Sequence, residues 1–143
     1  MCLVTVLLSG LLLLWSEAES AELKIEGRWY TGAQLQSGQQ LFLDNCAVCH
    51  GKQAQGLTPD WRKRQADGSF PPPPLNGTAH AWHHPLSLLR RSISEGGIQF
   101  GGTMQGFKGK LSSDEQLAAI AYFQSFWADE IYAQWAQRGG VVK

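Results

Sequence analysis

The pentapeptide Cys46-Ala47-Val48-Cys49-His50 constrains this chain more than any other feature. Two thiols in C-x-x-C spacing followed at once by an imidazole form the c-type haem attachment pattern. On a turn of helix, each cysteine can form a thioether to a haem vinyl group, and His50 is then held under the iron as proximal ligand. Two other readings compete. A thioredoxin-like dithiol would need a βαβ context, which the pattern of residues does not offer. A zinc site would need two further ligands.

At 143 residues the chain is one small domain plus an N-terminal extra. Hydrophobic content of 43% against 17% charged suits a globular core. So small a core gains from burying a large prosthetic group. Formal charge is zero, which argues against nucleic acid as a partner. The third cysteine, Cys2, falls in the leader, so no structural disulfide is indicated.

Leu3 to Trp15 is an apolar run shorter than the ~20 residues of a comfortable membrane span. It fits the core of a secretory signal, with small residues at Ala18, Ser20 and Ala21 and cleavage expected after Ser20. No Lys or Arg precedes it, and an uncleaved anchor is the alternative. Loss of Glu17 and Glu19 would leave 12 basic against 10 acidic residues, a formal charge of +2. Two haem propionates would roughly cancel that. The expected organisation is a signal peptide or anchor at 1–20, an extension at 21–32, the haem domain at 33–135 and a tail at 136–143. The expected location is periplasmic or otherwise exported.

Residues 33–49 read as a helix, with Leu35, Leu41, Phe42 and Cys46 near one face and a gap at Gly38. Gly38 marks either a close helix crossing or a late helix start. A loop from Gly51 to Gly77 follows, carrying the run Pro71-Pro72-Pro73-Pro74. Proline runs favour extended geometry and present carbonyls without a competing N–H. A metal-bound histidine usually donates its other ring N–H to such an acceptor, and Pro73 is the candidate for His50. The run could also be only a stiff loop or a recognition segment.

Pro85 to Glu95 reads as a helix with Leu86, Leu89 and Ile93 on its apolar face, closed by Gly96-Gly97. Arg90 and Arg91 read as a solvated face. Ser112 and Glu115 form a capping box at the start of a last helix. Its stripe runs through Ile120, Phe123 and Trp127 and continues at Ile131 and Trp135. Nothing reads as a strand, and there is no internal repeat.

Met104, the one methionine besides the initiator, stands between Gly101-Gly102 and Gly106. A flexible glycine-rich backbone there fits a reach across a flat cofactor, and His/Met is a standard haem pair. Met104 is therefore the candidate distal ligand. His80, His83 and His84 compete: they could ligate iron, take copper or zinc, or serve only as caps of the Pro85 helix.

With Cys46 to His50, Pro73-x-Leu75-x-Gly77, Met104 and the Tyr122 helix in this order, the chain resembles class I c-type cytochromes over about residues 33–135. The resemblance implies an all-α cytochrome c fold of three to five short helices around one covalently bound haem c. It implies that the Gly38/Phe42 helix crosses the last helix near Ala119 and Tyr122, and that the Pro73 carbonyl accepts the His50 ring N–H. The family often places proline after its methionine; Gln105 stands here.

A haem held by His50 and Met104 is six-coordinate and leaves no position for substrate. The main functional expectation is one-electron transfer between redox proteins outside the cytoplasm, without enzymatic activity, through transient docking. Lys52, Lys108 and Lys110 could rim the exposed haem edge. A second reading is a haem subunit of a dehydrogenase or oxidase complex, with Trp127, Tyr132 and Trp135 as an exposed interface. The third is a peroxidase or gas sensor in which Met104 leaves the iron.

Overall fold

The computed structural model describes residues 25–141. The expected leader at 1–20, with Cys2, lies outside the described residues. The described residues form five α-helices: α1 (Gly32–Asn45), α2 (Ala47–His50), α3 (Leu86–Glu95), α4 (Ser113–Gln124) and α5 (Asp129–Gln137). Short 3-10 turns occupy Ala81–His83 and Ile98–Phe100. Among the described residues, pairing of extended backbone is limited to isolated bridges, so the fold is all-α.

The capping residues locate the helix starts. Thr31 precedes α1 and accepts the Gln34 N–H at 3.1 Å, while Gln34 Oε1 accepts the Thr31 N–H at 3.0 Å. Ser112 and Glu115 make the same reciprocal pair at α4. Both satisfy N–H groups that a helix start leaves open. Pro85 lies just outside α3 as its N-cap, and Leu86, Leu89 and Ile93 are buried as a single face.

α1 packs against α4 at Gly38. A Cβ there would overlap the Ala118 carbonyl, so the glycine marks a backbone-to-backbone crossing rather than a helix start. One turn later Phe42 is buried against Tyr122 and Phe123, with ring centroids 5.3 and 6.5 Å away.

The last helix is broken where a single one was expected. α4 stops at Gln124, and Ala128 is extended before α5 begins. Trp127 fixes the break: its indole N–H donates to the Leu75 carbonyl at 2.7 Å, which ties it to the long loop. Asp129 and Glu130 then open α5, where negative charge suits a helix start. Both halves of the apolar stripe remain inside, because the bend turns α5 back onto the same core.

Residues 25–31 and the chain after α5 join this core. Tyr132 Oη accepts the Trp29 N–H at 2.9 Å, and Trp29 Nε1 donates to Gln124 Oε1 at 2.6 Å. The Leu86 N–H donates to the Gly140 carbonyl at 2.7 Å. Among the described residues no helix is long and apolar enough to cross a membrane.

Candidate functional site

Cys46 closes α1 and opens α2, so the pentapeptide is wound as a helical turn directly after the helix that Gly38 and Phe42 anchor. The Cys46 N–H donates to Phe42, and its carbonyl accepts from Cys49 at 3.1 Å and from His50 at 2.9 Å. That winding brings both thiols towards one side, three residues apart. Both are free; Cys49 is exposed and Cys46 half-buried. Burial, with the nearby Cys49 adding, pushes the Cys46 thiol up to about 11. A redox dithiol works through a depressed thiol, so this environment is the wrong one for thioredoxin-like chemistry.

Gly51 turns the chain with φ +78°, and the loop after it folds back on His50. Gly56 donates to the His50 carbonyl at 2.7 Å. Ala54, fully buried with φ +56°, has its carbonyl accepting from Leu75 at 2.7 Å and Asn76 at 3.1 Å. The proline run is thereby pinned beside the histidine. His50 Nδ1 lies 2.9 Å from the Pro73 carbonyl oxygen. A carbonyl only accepts, so Nδ1 carries the proton and Nε2 keeps its lone pair. Burial holds the imidazole below its ordinary range against the opposing pull of that hydrogen bond, which keeps it neutral.

Met104 is half-buried in a loop that the backbone holds firmly. Its carbonyl accepts the Gly97 N–H at 2.9 Å, and Phe107 and Lys108 donate to Ile93 and Ser94 at the end of α3. The glycines serve close approach instead of flexibility: a Cβ on Gly96 would lie 2.6 Å from the Met104 carbonyl, and one on Gly106 2.6 Å from that of Ser94. Cys46, Ala47, Leu75, Trp82, Met104 and Phe107 pack on the core, yet each keeps part of its surface uncovered.

The other candidates sit apart in their interactions. His80 stacks on Trp61 and His83 on Trp82, at 4.9 and 3.9 Å between centroids. Among the described residues no three His, Cys, Asp or Glu side chains gather to hold a metal ion. Lys52, Lys108 and Lys110 are exposed. Lys108, Lys110, Arg90 and Arg91 line a groove of about 810 Å³ between α3 and the start of α4, which none of Cys46, His50, Pro73 or Met104 enters. Trp127, Tyr132 and Trp135 are 2%, 6% and 1% exposed, so they form core and not an interface. Ala54 and the Gly51 and Gly56 turns are the supporting residues that sequence reasoning missed; the glycines after His50 were the available signal.

The residues present suit a covalently held haem. Two unpaired thiols share a helical turn with a neutral imidazole whose orientation is fixed and whose Nε2 is free. Leu75, Met104 and Phe107, each partly uncovered on the same core as Cys46, offer apolar surface of the kind a porphyrin face requires.

The sequence model for the family described as cytochrome c oxidase, cbb3-type, subunit III matches residues 33–123. The cbb3-type cytochrome c oxidase subunit CcoP of Rhodobacter capsulatus is 41% identical over 103 residues, which are 72% of this chain and 33% of that protein. The chain thus spans about a third of that relative's length. No solved structure matches.

Proposed function

The chain belongs to the cytochrome c oxidase, cbb3-type, subunit III family and is a c-type cytochrome with one covalently attached haem c; from this premise we propose that it works as the haem c subunit of an oxidase complex. The observation that carries the proposal is the family match across 33–123, which spans the attachment turn, the Met104 loop and most of α4. It favours the subunit reading over the free carrier.

Bound haem c supplies a one-electron ferric/ferrous couple. In this proposal the Cys46 and Cys49 sulfurs would hold it as thioethers, and His50 Nε2 and the Met104 sulfur would bind its iron. The Pro73 carbonyl keeps the His50 ring from turning. The hydrogen-bonded backbone around Met104 holds that side chain's loop in place. Little atomic movement then accompanies gain or loss of an electron. Ile98 and Phe100, 63% and 74% exposed on the turn before Met104, offer the apolar contact to a neighbouring subunit that the C-terminal aromatics do not.

A free exported carrier is the second reading. It is favoured by the closure of residues 25–140 on themselves through the Trp29–Tyr132 and Leu86–Gly140 hydrogen bonds.

Gentle detergent extraction of native membranes, followed by affinity purification through this chain, tests the proposal. Co-elution with further oxidase subunits and oxygen-consuming activity is expected. Recovery of the haem protein alone from the soluble exported fraction supports the carrier instead. For the ligand, Met104→Ala should abolish the iron–thioether charge-transfer band with His80, His83 and His84 intact. An unchanged spectrum would assign the iron ligand to one of those histidines instead.

A further inference from the structure

His80 and His84 flank the turn Ala81–His83, and hydrogen bonds fix their backbones. The His80 carbonyl accepts the His83 N–H at 3.0 Å, and the His84 N–H donates to Ala81 at 3.2 Å. The His84 carbonyl accepts the buried Trp135 indole at 2.8 Å. The two imidazoles lie with centroids 5.4 Å apart and planes at 90°. Trp61 stacks on one face of the His80 ring, with centroids 4.9 Å apart. Among the described residues, His50 alone of the four histidines has a ring nitrogen hydrogen-bonded to protein.

Two imidazoles bound to one ion, with nitrogens about 2.0 Å from it, have ring centres roughly 4.5 Å apart at the right angle that cupric ion favours and roughly 5 Å apart at a tetrahedral one. The observed pair is near the latter separation before any adjustment.

We propose that His80 and His84 form a two-histidine site for a divalent transition-metal ion, with water completing its coordination. Cupric ion binds there most tightly, following the general order of divalent affinities. His83, whose ring pairs with Trp82 and not with His80 or His84, is not a ligand. No third acidic, thiol or imidazole group joins the pair among the described residues, so the ion exchanges readily. The Arg62 guanidinium, 4.7 Å from the centre of the Trp61 ring and close enough to disfavour charge on His80, opposes the cation. The proposal does not rest on the oxidase reading.

The test is calorimetric titration of the haem-loaded protein with cupric sulfate in a non-chelating buffer, with electron paramagnetic resonance of the bound copper. One equivalent with nitrogen hyperfine structure is expected. His80→Ala and His84→Ala should each weaken binding by about tenfold or more, since even indirect partners of a metal ligand are worth that much. His83→Ala should leave it within about twofold by the same measure. Arg62→Ala removes a like charge and should tighten binding by roughly two- to fivefold. An unchanged haem spectrum and helical circular dichroism in each variant would establish that the fold is intact. Cupric binding that persists unweakened in both histidine variants, or no saturable binding at all, overturns the site.

Discussion

His50 Nδ1 and the Pro73 carbonyl oxygen, 23 residues apart in the chain, meet at 2.9 Å. The acceptor is backbone, and the loop that presents it is pinned by the Ala54 carbonyl through Leu75 and Asn76. The proline ring itself contributes only a restricted φ. Pro73→Ala should therefore leave the haem spectrum and reduction potential essentially unchanged. It should lower stability by about 0.5–1 kcal/mol through the added freedom of the unfolded chain. Denaturant titration and redox potentiometry check this. A shifted potential with unchanged stability would mean that the ring, and not the carbonyl, governs His50.

Gly38 illustrates a different kind of constraint. A methyl there meets the Ala118 carbonyl, which cannot rotate away as a side chain could. Alanine gains about 1 kcal/mol of helix propensity over glycine. Overpacking against backbone costs about 3 kcal/mol or more, at or beyond the upper end of the range for core insertions. Gly38→Ala should thus destabilise the protein by about 2 kcal/mol or more, measured by urea unfolding. Gly109→Ala is a contrasting case, because nothing lies within 4 Å of its Cβ position and only its positive φ, +83°, resists the change.

Much of this fold was legible from local chemistry. The capping pair Ser112/Glu115 and the Leu86/Leu89/Ile93 face each depend on residues a few positions apart, whereas Gly38 was left open between a crossing and a helix start because its partner, Ala118, lies 80 residues away. The cap and the face also have few alternative uses. The attachment turn was legible because the redox-dithiol and zinc readings of its spacing each need a context the sequence lacks. What was not legible depends on distant partners. Trp127 ends the expected continuous helix by donating to the Leu75 carbonyl, 52 residues earlier, and periodicity contains no trace of that bond. The left-handed backbone of Ala54 was equally hidden, since alanine is an unusual residue for φ +56°. The Met104 loop was read as flexible from its glycines, whereas they let it pack against α3.

Trp127→Phe tests the first of these long-range ties. Phenylalanine keeps most of the apolar contact with Phe123 and Trp135 but leaves the Leu75 carbonyl without its donor. The expected cost is about 1–3 kcal/mol, the range for an unmade buried hydrogen bond. Hydrogen exchange should show the loss concentrated at Gln124–Ala128, where the bond holds the bend between α4 and α5. Uniform loosening of the whole protein would argue that the bend is held by packing alone.

Glu115 gives a prediction with a defined pH direction. Its carboxylate accepts the Ser112 N–H at 2.7 Å, and that bond, joined by the Ser112 hydroxyl, holds it below the ordinary value of 4.5. The folded state therefore binds this proton less readily than the unfolded chain. Its stabilisation is complete above the unfolded value and is lost as pH falls through that value towards the lowered one. Glu115→Gln retains a side-chain acceptor for the capping box but cannot titrate. The variant should be less stable than the parent at neutral pH, and the difference should shrink as pH falls below 4.5. Thermal unfolding of both proteins from neutral to acid pH measures it. A gap that stays constant across that range would show that the carboxylate's charge adds nothing to the cap.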